Sequence, residues 1–110
     1  MTKSNKRQPA SKRANMPRDS RKSKSFVKDW EKLSHSGKQD LNILKEAMLL
    51  LIANDEPLPP EWKDHQLSGT LKDFRECHVK GDLLLVYQIE KSGQDELVIF
   101  TEAKTHSEMF

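Results

Sequence analysis

Four side chains in the second half of the chain are of the types that acid–base chemistry uses. They are His65 in KDHQLSG, His78 in FRECHV, Asp82 just past Lys80-Gly81, and His106 in the terminal THSEMF. An imidazole titrates near neutral pH, so one ring can take a proton while another gives one. With a carboxylate beside them, such a set suits cleavage of RNA. The substrate's own 2′-hydroxyl attacks the adjacent phosphate, and the protein supplies a base, an acid and donors for the phosphate. Imidazole also suits zinc and other transition metals, but no two histidines here have a metal-pair spacing such as H-x-x-x-H. The expectation is therefore no metal and no cofactor. Taken singly, each histidine also fits a surface or hydrogen-bonded core residue, and His35 keeps that reading.

These residues form one site only if the fold gathers them. RECHV alternates, so Phe74, Glu76 and His78 share one strand face and Arg75 and Cys77 the other. LLLVYQI is a continuous apolar run that predicts a central strand, and ELVIFTEA is another. Lys80-Gly81-Asp82 turns between the first and second strands, and Ser92-Gly93 closes the second and third into a hairpin. A regular three-stranded meander then places Val79, Asp82 and Ala103 at one end of the sheet, and His106 near His78 and Asp82.

Helices precede the strands. Phe26, Trp30 and Leu33 recur on one helical face, with Ser25 as the expected N-cap and Gly37 as the stop. A second helix is expected over residues 38–54, with a stripe of Leu41, Leu44, Met48 and Leu51 widened by Leu49, Leu50 and Ile52. The two should form an antiparallel hairpin. Pro57, Pro59 and Pro60 forbid its continuation, and KDHQLSG reads as loop. A further, polar strand is expected around residues 16–22. The class is α+β: two N-terminal helices packed on a small, mostly antiparallel sheet.

The 110 residues allow one domain. Residues 1–24 hold nine basic side chains and one acid, a balance of +8, whereas the other 86 hold ten basic and sixteen acidic, or −6. A basic segment with so few apolar residues is expected to be a disordered tail over residues 1–17, ahead of a domain over 18–110. It either attracts polyanions by counterion release or is an inert extension. A transit-peptide reading ranks below both. No stretch is apolar enough to span a bilayer and no signal-peptide pattern is present. The single Cys77 excludes an internal disulfide and fits a reducing cytoplasm.

The segments KDHQLSG, FRECHVKGDLLLVY and THSEMF resemble, in order and spacing, the YafQ-type toxins of the RelE/ParE superfamily. FVKDWEKL and LLIANDEPLPPEW fit the helical half, so the resemblance covers residues from about 18 to 110. It implies a bacterial type II toxin, a ribosome-dependent endoribonuclease that cuts mRNA in the A site and is held inactive by a cognate antitoxin in a hetero-oligomer. Residue by residue it implies catalytic roles for His65, His78, Asp82 and His106. It further implies substrate-binding roles for Glu76 and the terminal Phe110. Two features depart from the family: Leu83 stands where members often carry Trp, and the basic tail is long. Two other readings share these residues. One is a gyrase-targeting toxin of the same superfamily, which needs no histidine cluster. The other is a non-catalytic binding module with structural histidines.

Overall fold

The computed structural model describes residues 16–37 and 39–109. The chain enters as a short strand, β1 (Asp19–Lys22), followed by α1 (Lys24–Ser36) and α2 (Leu41–Ala53). Then come β2 (His65–Gln66), β3 (Arg75–Lys80), β4 (Leu83–Ser92), β5 (Asp95–Thr105) and a single helical turn, α3 (His106–Met109). These strands make one five-stranded sheet in the order β1-β5-β4-β3-β2. β1 runs parallel to β5 and every other pairing is antiparallel. The expected meander is β3–β5, with β4 central. The two further strands are short and polar, and they flank it.

Local chemistry sets the helix ends. Ser23, not Ser25, caps α1: its backbone is extended and its Oγ accepts from the Phe26 N–H at 3.0 Å. The same hydroxyl donates to the Thr101 carbonyl at 2.7 Å, which ties the cap to β5. Gly37 ends the helix at φ 68°, a left-handed conformation that glycine adopts without steric cost. α2 starts at Leu41 rather than near residue 38, because Asp40 accepts from the Asn42 N–H at 2.9 Å and so satisfies one of the orphan donors of the first turn. It ends at Asn54, left-handed at φ 57°.

Both helices cover one face of the sheet. Phe26, Leu33, Leu44, Ala47, Met48 and Leu51 pack against Cys77, Val79, Leu83, Leu85, Tyr87, Val98, Phe100 and Ala103. Burying a side chain the size of Leu44 or Phe26 contributes about 1.5–3 kcal/mol. Leu49 points out, 64% exposed, so the α2 stripe is narrower than its run of apolar residues predicts. The other sheet face carries Glu76, His78, Leu84 and Val86, by alternation along β3 and β4. Leu84 and Val86 are buried yet stand outside the helix-facing cluster. Among the described residues no helix is long and apolar enough to cross a membrane.

Candidate active site

The sheet face away from α1 and α2 is where the expected residues gather. His65 sits on β2 directly across from Glu76, which in turn opposes Val86. His78 opposes Leu84, and Leu84 opposes Lys104 of β5. His65, Glu76 and His78 therefore occupy one face of two adjoining strands, about 5 Å apart. KDHQLSG was expected to be loop, and the strand character of His65–Gln66 is a correction: two residues are too few for an alternation pattern to show.

Asp82 and His106 meet at the end of the sheet beside this face. β3 and β4 are joined through Gly81, at φ 61°, and exposed Asp82. Leu83 pairs with Thr105, so the next pair outward is Asp82 with His106. The His106 N–H donates to the Asp82 carbonyl at 2.8 Å. The sheet is regular enough to deliver the convergence the meander predicts. Alternation puts Val79 in the core and His78 on the other face, and a bulge then lets Val79 and Lys80 together oppose Leu83.

The position of His106 is set by a device visible in the sequence as T-H-S-E. The Thr105 N–H donates to Glu108 Oε1 at 3.0 Å and the Thr105 hydroxyl to the same oxygen at 3.1 Å. Glu108 thus reaches back over the first turn of α3, as the glutamate of a capping box does. Its Oε2 also takes a hydrogen bond from Lys32 at 3.3 Å. The backbone hydrogen bond from Thr105, then that from Lys32, hold the Glu108 carboxyl below its ordinary range despite some burial. Buried Asp29 of α1 fixes the end of β5, accepting from the Ala103 N–H at 3.0 Å and pairing with Lys104 at 2.8 Å. Burial works against the Lys104 charge, but its bonds to Asp29 and the nearby Glu102 raise its pKa.

The His65 ring is held at Nδ1 and has Glu76 near Nε2. Nδ1 lies 2.7 Å from the Lys63 carbonyl, which can only accept, so Nδ1 carries a proton. Nε2 lies 3.6 Å from Glu76 Oε1. That second contact is attractive when Nε2 is protonated as well. Glu76 is 6% exposed, and its Oε2 has no hydrogen-bond partner among the described residues. A buried acceptor left unpaired costs about 1–3 kcal/mol, and a donor on a bound molecule would remove that cost. Among the described residues, no three His, Cys, Asp or Glu side chains are placed together to hold a metal ion. Phe110 lies outside the described residues.

Arg75 does not join this face. Its Nη2 donates to Asp64 Oδ2 at 3.1 Å and its Nε to the Tyr87 hydroxyl at 3.3 Å, and Tyr87 donates to Asp64 Oδ1. Burial opposes the Arg75 charge, but the bonds to Asp64 and Tyr87 leave its pKa raised. Burial, then the bond to Asp64, raises the Tyr87 pKa, so the phenol stays a donor. Cys77 is pushed up to about 12, first by burial and then by the charges of Asp64 and Glu76, and is an inert thiol. The Asp64–Tyr87–Arg75 cluster is not visible in the sequence, since its members are 11, 12 and 23 positions apart.

Helices on one sheet face and a group of histidines and carboxylates on the other make a small α+β domain of the toxin class to which the sequence motifs point. A family model described as the bacterial toxin of a type II toxin-antitoxin system, YafQ, matches residues 18–110. The chain belongs to this family. It is 40% identical over 93 residues to the mRNA interferase toxin YafQ of Escherichia coli K12, covering 84% of this chain and 96% of that one. The toxin in the crystal structure of the E. coli DinJ-YafQ toxin-antitoxin complex superposes with a TM-score of 0.73 at 38% identity, over 86% of this chain and 99% of that one. A metal-bound toxin from Helicobacter pylori gives 0.71 at 44% identity, over 84% and 98%.

Proposed function

We propose that this chain is a ribosome-dependent endoribonuclease that cleaves mRNA in the A site and so inhibits translation. The observation that carries the reading is the joining of His106 to Asp82 at the end of the same face that presents His78, Glu76 and His65. Support also comes from the E. coli relative, named an mRNA interferase.

The reaction is a transesterification. A base takes the 2′-hydroxyl proton, the 2′-oxygen attacks phosphorus, and the bond to the 5′-oxygen breaks as an acid protonates that oxygen. The products are a 2′,3′-cyclic phosphate and a 5′-hydroxyl. His106, exposed at the start of α3, is the group assigned to proton transfer at the scissile phosphate, with Asp82 its partner. His65, with Nδ1–H on the Lys63 carbonyl and Nε2 toward Glu76, suits contact with the phosphate, and His78 shares that work. The unpaired Oε2 of Glu76 is the acceptor for a substrate N–H or O–H. Phe110 remains a proposed substrate contact.

The charge distribution favours dependence on the ribosome. A free RNA-binding enzyme carries a basic footprint, whereas residues 25–110 carry −6. The ribosome would position the message, and the basic tail would add attraction. A cognate antitoxin, as DinJ is in the E. coli complex, would hold the toxin inactive in a bacterial cytoplasm. The test is to incubate the purified chain with one message, naked and on programmed ribosomes, and to map 5′ ends. Cuts with 5′-hydroxyl ends on ribosomes alone are expected. Equal cutting of naked RNA, or none on ribosomes, sinks the reading.

A further inference from the structure

His65 is the least securely anchored of the site histidines by its own strand. β2 is two residues long and makes only two register pairs with β3. It follows a proline-rich loop and Lys63, which sits at φ 50°, a left-handed conformation that a side-chain-bearing residue rarely adopts. Hydrogen bonds of so short an edge strand do not hold a ring in one place. Yet the ring is held against two partners.

We infer that Tyr87 and Arg75, acting through Asp64, are positioning residues for His65. The inference rests on the nuclease reading for its catalytic consequence, but not for its structural content. Asp64 and His65 are adjacent, so their side chains leave on opposite sides of the sheet. On the helix side, Asp64 is closed into a ring of three hydrogen bonds. Arg75 donates to both Asp64 and Tyr87, and Tyr87 donates to Asp64. Each bond polarises the next, and all are charge-assisted or feed one that is. Arg75 and Tyr87 are themselves cross-strand partners on β3 and β4, and Tyr87 is 1% exposed in the core. The carboxylate is thus tied to two paired strands, β3 and β4, through a buried phenol and its guanidinium neighbour. Fixing Asp64 fixes the peptide that follows it. The Lys63 carbonyl, one residue before, then selects the Nδ1–H form of the His65 ring and turns Nε2 to Glu76. No side chain of the clamp touches the open face.

A displacement of a catalytic group by 1 Å costs about 10²-fold in rate, so loosening this anchor should be felt at the reaction without any change in the residues that face substrate. The test uses the full chain with Tyr87→Phe, and with Arg75→Lys as a second variant should the first fail to fold. One readout is the ring ¹⁵N spectrum of His65, recorded in a His106→Ala background so that cells survive expression. The unclamped ring should shift from the Nδ1–H form toward the Nε2–H form that a free imidazole prefers. The other readout is cleavage on ribosomes with His106 intact. There, kcat should fall by about tenfold or more, while KM for the programmed ribosome stays within about twofold. An unchanged His65 ring spectrum in a folded variant overturns the inference, whatever the cleavage rate. Failure of the nuclease reading looks different: the parent chain would then not cut on ribosomes, or would cut naked RNA equally, while the ring spectrum still reports the clamp.

Discussion

The backbone N–H of His106 donates to the carbonyl of Asp82 at 2.8 Å, joining the start of α3 to the β3–β4 turn. The bond extends the β4–β5 ladder by one step and leaves both side chains exposed. Because it is made by the main chain, it survives any substitution at position 106 other than proline.

His106→Ala therefore separates fold from chemistry. The side chain lies outside the apolar core, so the thermal midpoint should hold. Proton-transfer groups contribute about 10²–10⁴-fold in rate, and ribosomal cleavage and growth inhibition should fall accordingly. His35→Ala, at the exposed end of α1, is the control and should change neither. A folded His106→Ala protein that cuts at the parental rate would remove the acid–base assignment and turn attention to His65 and His78.

How much of this was legible depends on segment length. β4 and β5, 10 and 11 residues long, announce themselves by apolar content, and the meander follows from their turns. That was enough to bring His106 to Asp82. β1 was expected around residues 16–22 and lies at Asp19–Lys22, whereas β2, two residues long, carries no usable period because its place is set by pairing with β3. In α2 the run LLLI says that the helix is apolar but not which residue faces out, and Leu49, expected to widen the stripe, is the one that stands exposed. The Thr105–Glu108 box is readable from its T-x-x-E spacing. The Asp64–Tyr87–Arg75 clamp is not, since nothing local couples those residues.

The N-terminal boundary can be tested by deletion. Residues 1–15 lie outside the described part of the chain, and their composition offers no apolar set to bury. Deleting them should leave the thermal midpoint in place. Arg18 is different. Its Nη1 donates to the Leu51 carbonyl at 2.7 Å and its Nε to Glu96 at 2.8 Å, tying the chain entrance to α2 and β5. Hydrogen bonds to charged groups contribute about 1.5–3 kcal/mol, and about 1 kcal/mol moves a domain this size by roughly 4–8 °C. Arg18→Ala should thus lower the midpoint by several degrees. A larger fall from the deletion than from Arg18→Ala would show that the tail packs.

Glu108 predicts an acid limb. Its carboxyl is held below its ordinary value of 4.5, so the folded state binds fewer protons there than the unfolded state. The stabilisation is present above that value and is lost as pH falls through the lower, folded one. Thermal midpoints of the parent and Glu108→Gln should differ near neutral pH and converge below pH 4.5. A constant difference across that range would mean that the charge of Glu108 does not anchor α3.

Tyr87 predicts the opposite limb, and the chain makes it easy to read because Tyr87 is its single tyrosine. Burial first, and then the hydrogen bond to the Asp64 carboxylate, raise its pKa above the ordinary 10.0. The folded state therefore binds the phenolic proton more tightly than the unfolded state does. That contribution is complete below pH 10.0 and is lost as pH rises through the folded value. The near-ultraviolet absorbance of phenolate should stay absent from the folded protein at pH 10.0 and appear only well above it or on unfolding. Over the same range the parent should lose stability that Tyr87→Phe does not lose, since the variant has no phenol to ionise. At neutral pH the order is reversed: Tyr87→Phe should be less stable by about 1–3 kcal/mol, because it leaves a part-buried carboxylate and guanidinium each short of a partner. A phenol that titrates in the folded protein near 10.0 would show that Asp64 is not gripped from the helix side, and the anchoring of the β2 segment would then need another source.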